Sequence, residues 1–257
     1  QAKNATLASR IGRQSGLDSV TVKGLGVSGG FGVSANAVVA TAHNESRSLL
    51  QTADSARFVG LSGGDWTFAA STDVRQRTKT EGYAAGLLTL GANISVATAE
   101  TSTEALISGR FSGDIGDLKV ASSATVDNEA RSEAGQGGLV SGAASVVRTS
   151  DTSTTRAVLY ARGATDSVDA VFDTVELSAY HQSRFNGFAN SINASLVGAS
   201  GAHVSNSLNV TTLSELASAS RVLTGAYDQS AYTDVVKSSG DYNVQSGSGG
   251  VVDAAAV

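Results

Sequence analysis

The sequence predicts an all-β protein, a β-solenoid of long strands that stack in imperfect repeats of about 50 residues. Three observations support this prediction: strand-like alternation, recurring Gly-Asp turn signals, and an unusual composition. Of the 257 residues only 16% are charged and none is proline, cysteine or methionine. Because proline cannot donate to a β-ladder, its absence is typical of long strands in which every backbone N–H is used.

The repeat is clearest where a Gly-Asp signal precedes a short apolar alternation, as before Trp66, Leu118 and Tyr242. The apolar triplets end at residues 22, 68, 120, 177, 210 and 244, so their spacing is near 50 and then shortens. We therefore predict an N-terminal cap or linker at 1–18 and a repetitive β-solenoid domain at 19–257, with the clearest repeats at 65–165. Short helices are expected at 4–17, where Leu7 and Ile11 are four residues apart, and at 165–177.

The alternation within a repeat has a period of two. After Asp65 the even positions hold Trp66, Phe68 and Val74, whereas the charged residues occupy odd positions, and the segment after Asp117 follows the same rule. This pattern predicts a long strand with one buried and one solvated face.

Stacking of successive repeats is expected to bring opposite charges together. An offset of 52 residues places Arg75 on Asp127 and Arg77 on Glu129, and an offset of 57 places Asp127 on Arg184. Two further pairs at the offset of 52 bring like charges together: Lys79 with Arg131, and Glu81 with Glu133.

Further strands are predicted downstream of the first. One spans 88–98, and its counterpart at 140–149 requires a bulge near Val146 and Val147. Short strands are expected at 105–107 and 157–159. The residues that the 88–98 strand places on one side are Leu88, Leu90, Ala92, Ile94 and Val96.

Three glycine-rich segments match two functional signatures. Residues 24–29 match a dinucleotide-binding fingerprint, but the small, β-like segment that follows offers no helix N-terminus for a pyrophosphate. Residues 26–30 and 60–64 match the nucleophile elbow of hydrolases, which requires a histidine base. The three histidines, His43, His181 and His203, have no recognisable partner spacing.

Acidic residues near turns are interpreted as turn formers rather than as calcium ligands. Asp65, Asp114 and Asp117 are isolated, and the nonapeptide repeat of calcium β-rolls is absent from the sequence. We therefore expect no catalytic, cofactor-binding or metal-binding residue, no cofactor, and no enzymatic activity.

Charge and hydropathy bear on partners. The net charge of −5 and the dispersed Lys and Arg residues disfavour nucleic-acid binding. No stretch of 18 apolar residues exists, so membrane insertion through a helix is not expected. Because the sequence starts at Gln1, we interpret it as a processed protein or a piece of a longer one.

The segment at 124–144 combines an Ala/Thr/Ser alternation with Gly-Gly-Leu-Val and further small residues, and a Thr-rich stretch and an Ala-Val-Leu strand follow it. It resembles repeats of giant filamentous adhesins of bacteria, the filamentous-haemagglutinin-like exoproteins, including leukotoxin-type adhesins. The resemblance implies a secreted, rod-like β-solenoid that displays adhesive parts away from the cell.

These expectations define a main hypothesis and two alternatives. The main hypothesis is a rigid, non-catalytic shaft segment of a bacterial extracellular filament or adhesin. One alternative is a complete mature subunit that self-assembles end to end through open strand edges. The other is a carbohydrate-binding or carbohydrate-active solenoid, for which Asp127 and Glu129, about 7 Å apart along one strand face, would be the carboxylate pair. The expected partners are neighbouring repeats, further copies of the chain, or the surface of a host or neighbouring cell.

Overall fold

The strands were located in a computed structural model, which describes residues 3–12, 20–51, 57–162, 170–218, 220, 222–237, 243–250 and 252–256. All regular elements in these ranges are β-strands, which confirms the all-β class. They are β1 (Ala5–Gly12), β2 (Val20–Gln51), β3 (Arg57–Arg162), β4 (Ala170–Leu216), β5 (Leu223–Lys237), β6 (Asn243–Gly249) and β7 (Val252–Ala256).

The helices expected at 4–17 and 165–177 are wrong wherever the chain is described, since Ala5–Gly12 and 170–177 are strand. The remainder of those segments, 13–17 and 165–169, lies outside the described residues. A spacing of four, as between Leu7 and Ile11, places two side chains on one face of a strand as well as of a helix. The boundary at residue 18 stays a prediction.

The seven strands form one parallel sheet. β1 and β2 pair with β3, β3 pairs with β4, and β5, β6 and β7 pair with β4. The registers begin with Ala5 opposite Trp66, Val20 opposite Gln76, and Val171 opposite Leu223. The long parallel strands expected from the sequence are thus present.

β3 folds back on itself, and so does β4. Within β3 the Ser95 hydroxyl donates to Thr78 Oγ1 at 2.7 Å, and Thr103 donates to Thr72 at 2.7 Å, although these residues are far apart along the strand. Within β4, the Ser214 hydroxyl donates to the Leu177 carbonyl at 3.0 Å. Each pass of the chain therefore has two legs that face each other across a thin interior.

We call each pass a layer and number the layers along the chain, each consisting of the described residues within 3–51, 57–110, 111–162, 170–222 and 223–256. The first legs of layers 2, 3 and 4 are 66–86, 118–138 and 175–195, and the second legs are 88–108, 140–160 and 197–216. Layers 2 and 3 lie side by side at an offset of 52, since the Asp117 N–H donates to Asp65 Oδ1 and the Thr101 hydroxyl donates to Ser153 Oγ.

The interior follows the predicted alternation. Trp66, Phe68, Leu118, Val120 and Leu177 point inward and are at most 3% exposed. Burying one such side chain contributes about 1.5–3 kcal/mol. The main apolar cluster lies toward one end of the legs, where four aromatic rings pack with centroids 5.1–6.4 Å apart: Phe58, Trp66, Phe111 and Phe172.

The opposite end of the legs has a polar interior. There the second leg of layer 2 buries Thr89, Asn93 and Ser95, and the Asn93 amide donates to the Glu133 carbonyl at 2.6 Å. The apolar row predicted on one side of this strand does share a side, but that side is the outer one. Its larger members Leu88, Leu90 and Ile94 are 44%, 50% and 40% exposed.

The short strands predicted at 105–107 and 157–159 are part of β3. The bulge predicted near Val146 and Val147 is wrong, because the register to β4 advances one residue at a time from Val140 to Leu159. A shift instead occurs between Gly30 and Phe31, where β2 turns from its first to its second leg.

Glycines form a column at this turn. A Cβ on Gly86 would lie 1.8 Å from the Gly30 carbonyl oxygen, and a Cβ on Gly138 would lie 2.0 Å from the Gly86 oxygen. The legs of successive layers can reverse at this spacing because none of these residues has a side chain.

Candidate functional site

A ladder of charged side chains crosses the outer face of the first legs. Arg75 Nε lies 3.1 Å from Asp127 Oδ2, and Arg77 Nε lies 2.9 Å from Glu129 Oε2, which confirms both predicted pairs at the offset of 52. Asp127 is in register with Arg184 of the next layer, which confirms the predicted offset of 57. We call these five residues the charge ladder.

The like-charged neighbours of the ladder form ion pairs within their own strands. Lys79 Nζ lies 2.8 Å from Glu81 Oε1, and Arg131 forms an ion pair with Glu133. The Arg131 guanidinium also lies 4.4 Å from the centroid of the Phe188 ring. The repulsion expected between like charges of neighbouring layers is thus offset by ion pairs between residues two apart, which lie on the same face of a strand.

Tyr83 lies beside this end of the ladder. Burial raises the pKa of its hydroxyl, and the nearby carboxylates of Glu133 and Glu81 raise that pKa further. The neutral phenol is therefore the form that the fold favours.

Asp127 and Glu129, the carboxylate pair of the carbohydrate hypothesis, both belong to the charge ladder. Each faces an arginine of the preceding layer, and Asp127 is only 8% exposed. A carboxylate pair that acts on a sugar needs room for the sugar beside it, whereas both of these carboxylates are engaged by arginine side chains. The geometry fits ion pairing between layers.

A buried polar cluster, which the sequence did not reveal, joins layers 2, 3 and 4. His181 Nε2 lies 3.0 Å from Asp151 Oδ2, and His181 Nδ1 lies 3.1 Å from Thr155 Oγ1. The Ser153 hydroxyl donates to Asp151 Oδ1 at 2.5 Å and accepts from the Thr101 hydroxyl. We call these five residues the buried polar cluster.

Thr155, His181 and Asp151 have the order of a hydroxyl, base and carboxylate triad, but the Thr155 hydroxyl and the His181 ring are closed to solvent. Thr155 and His181 are 0% exposed and Asp151 is 3% exposed. A nucleophile must contact its substrate, so this arrangement supports a role in holding the two legs together. The alternation of the strand could have indicated this cluster. His181 follows Val175, Leu177 and Ala179 on the inward face of the strand, where a polar side chain needs a hydrogen-bond partner.

A polar cleft adjoins this cluster. Its volume is about 200 Å³, and it lies between the two legs of layers 3 and 4, with Asp151 in its wall. The Asn128 amide donates to the Ser150 carbonyl at 2.8 Å, while its oxygen has no hydrogen-bond partner in the fold. The other lining residues are Thr149, Ser183, Phe185, Asn206, Ser207, Leu208 and Val235.

The glycine motifs lie in extended chain. Residues 24–29 are inside strand β2, and no helix follows them within the described part of the chain. Gly30, the last residue of the first elbow-like motif, and Gly63, the fourth of the five residues of the second, adopt positive φ values of 76° and 61°. His203 is exposed, and the backbone of His43 pairs with Glu100 in the register of β2 and β3. The histidines are thus not brought to the glycine motifs by these pairings.

Asp65 acts as a link between layers, since its carboxylate accepts the Asp117 backbone N–H at 3.1 Å. Among the described residues, no three His, Cys, Asp or Glu side chains are arranged to hold a metal ion. The same ranges contain no helix long and apolar enough to cross a membrane.

An apolar ridge runs across the layers beside the glycine column. Register places Phe31 on Leu88 and Val140 on Val197, which pairs with Val252. All five side chains are between 44% and 78% exposed, and Phe31 is the most exposed of them. The ridge shows that the outer surface also repeats from layer to layer.

Comparisons with protein-family models, with characterised proteins and with solved structures found no match to this chain.

Proposed function

We propose that this chain is a rigid, non-catalytic segment of the shaft of a bacterial extracellular filament or adhesin, built as a β-solenoid. The observation that carries the proposal is the charge ladder, in which Arg75, Asp127 and Arg184 align across three successive layers. A column of this kind arises when one unit repeats along an axis, and further units extend it without changing the contact.

The proposed role is mechanical. Each layer is joined to the next by parallel registers such as Asp117–Leu159 with Thr174–Leu216. Bending such a stack would break many ladder hydrogen bonds together. The resemblance of 124–144 to filamentous adhesin repeats supports a location at the cell surface, and the burial of Thr155 and His181, both 0% exposed, supports a non-catalytic role.

The modularity of the stack can be tested by adding a layer. Layers 2 and 3 are 52 residues apart, so a duplication of residues 66–117 should insert one extra layer in register. We expect a folded protein whose stacking dimension grows by about 4.8 Å and whose free energy of unfolding increases. Small-angle scattering and urea unfolding measure the two quantities.

A duplication of residues 66–105 is the matched control, because it adds a similar amount of chain out of register and should destabilise the protein. Equal loss of stability in both duplications would contradict the proposal. Surface location needs a separate test: antibodies against the chain should label filaments on intact source cells, and labelling restricted to broken cells would reject this part.

A further inference from the structure

Charge is distributed unevenly along the stack. Among the described residues, layer 1 has four basic residues and one acidic residue, and layer 2 has five of each. Layer 3 has five basic and six acidic residues, and layers 4 and 5 each have one basic and three acidic residues. The net charge of the described residues therefore falls from +3 in layer 1 through 0 and −1 to −2 in layers 4 and 5. One end of the stack is basic and the other is acidic.

The outermost described strands on both sides of the stack pair along one edge only. Among the described residues, register pairs β1 and β2 with β3 alone, and β5 with β4 alone. Proteins usually blunt such edges with proline, lysine or bulges. β5 has fifteen residues without a proline, and its one lysine, Lys237, is its last residue.

The inward-facing row of layer 5 remains open to solvent. Tyr227 continues the column of Val175, and Val235 continues that of Ser183. Tyr227 and Val235 are 42% and 47% exposed, whereas Val175 and Ser183 are 0% and 2% exposed. A further layer on β5 would cover this row.

We propose that the acidic end of one chain binds the basic end of a second copy, with β1 of the second copy lying parallel on β5. This inference rests on the proposed solenoid and names its partner. Opposite net charge favours head-to-tail association, while contact between two acidic ends would be repulsive. A head-to-tail contact does not close on itself, so it generates a filament.

The existing columns specify the register of this contact. Ala5 pairs with Trp66, and Val175, two layers further along the same column, pairs with Tyr227. Continuing the column places Ala5 of the second copy on Tyr227, Ala8 on Ser230, and Arg10 on Tyr232. Arg10 then lies over an aromatic ring and two residues from Asp234 on the same outer face, where cation–π and ionic attraction both favour it.

The absence of cysteine from the chain allows a clean cross-linking test with the full chain. Ala8 and Ser230 are both exposed, and neighbouring strands place such pairs about 4.8 Å apart, within disulfide range. We expect the double variant Ala8→Cys/Ser230→Cys to form a ladder of covalent multimers on mild oxidation. In 1 M salt, where charges are screened beyond about 3 Å, multimers should form several-fold more slowly.

The control Thr6→Cys/Ser230→Cys keeps the same strand face but misses the register by two residues, so it should give several-fold less multimer. Equal ladders in both variants, products that stop at dimers, or rates independent of salt would overturn the proposal. Small-angle scattering of the unoxidised variants separates the two claims. If scattering shows a flattened particle with a leg length of about 65 Å but oxidation gives no covalent multimers, the solenoid fold stands and head-to-tail association is rejected. A compact round particle would reject both the solenoid fold and the association.

Discussion

The inner layers and the terminal layer contain the same column of inward-facing positions, but the burial of these positions differs. Leu118 and Val175 of layers 3 and 4 are 0% exposed, while Tyr227, which continues their column in layer 5, is 42% exposed. The difference shows that burial here comes from the layers above and below rather than from the alternation itself. Substitutions matched between the two regions should therefore differ in cost.

The largest effect is expected in the buried polar cluster. His181→Ala removes the partner of the Asp151 carboxylate, which is 3% exposed. Loss of one partner from a buried pair typically costs about 3–5 kcal/mol. His203→Ala, at an exposed position of the same layer, should change the free energy of unfolding by at most about 0.5 kcal/mol. Similar urea midpoints for the two variants would contradict the structural role assigned to His181.

Truncation of leucine should separate the regions next. Leu177→Ala empties a position that is 0% exposed and should cost about 2–5 kcal/mol of unfolding free energy. Leu223→Ala makes the same chemical change in layer 5, where the side chain is 50% exposed, and should cost less than about 1 kcal/mol. If the two variants lost equal stability in urea titrations, layer 5 would have to be as well covered as layer 4.

A methyl group added to glycine tests the spacing of the layers. Gly138→Ala directs a Cβ to within 2.0 Å of the Gly86 carbonyl oxygen and should destabilise by about 1–3 kcal/mol through overpacking. Gly249→Ala, where a Cβ would have no neighbour within 4 Å, should instead stabilise by about 0.4–1 kcal/mol through the unfolded chain. Thermal melts that shift in the same direction would argue against close approach at the glycine column.

The smallest effect concerns alkaline pH. The pKa of Tyr83 is raised above 10.0 in the fold, so between the unfolded and folded pKa values the folded state holds more protons. Stability should then be unaffected by this group below pH 10 and should fall as pH rises above it. Tyr83→Phe should flatten this decline in the free energy of unfolding, and an unchanged pH profile would remove Tyr83 as a cause.

Much of the stacking was predictable because it depends on a fixed offset. The inward row from Trp66 and the pair of Arg75 with Asp127 follow from parity and the spacing of 52. By contrast, contacts across the interior join legs that run in opposite directions, so the sequence separation of contacting residues changes along the legs. The contact between Asp151 and His181, which are 30 residues apart, therefore could not be predicted from a fixed offset. The outward orientation of Leu88 was not predictable either, because apolar alternation reports a shared side and not which side is buried.

Engineered disulfides test the registration of successive layers directly. The offset of 52 that links Asp65 to Asp117 also places Ser71 beside Ser123, about 4.8 Å away across neighbouring strands. We predict that Ser71→Cys/Ser123→Cys forms an intrachain disulfide readily on oxidation, whereas Ser71→Cys/Thr125→Cys, two residues out of register, does so much more slowly. Equal rates for the two variants, or faster closure of the second, would contradict the stacked arrangement.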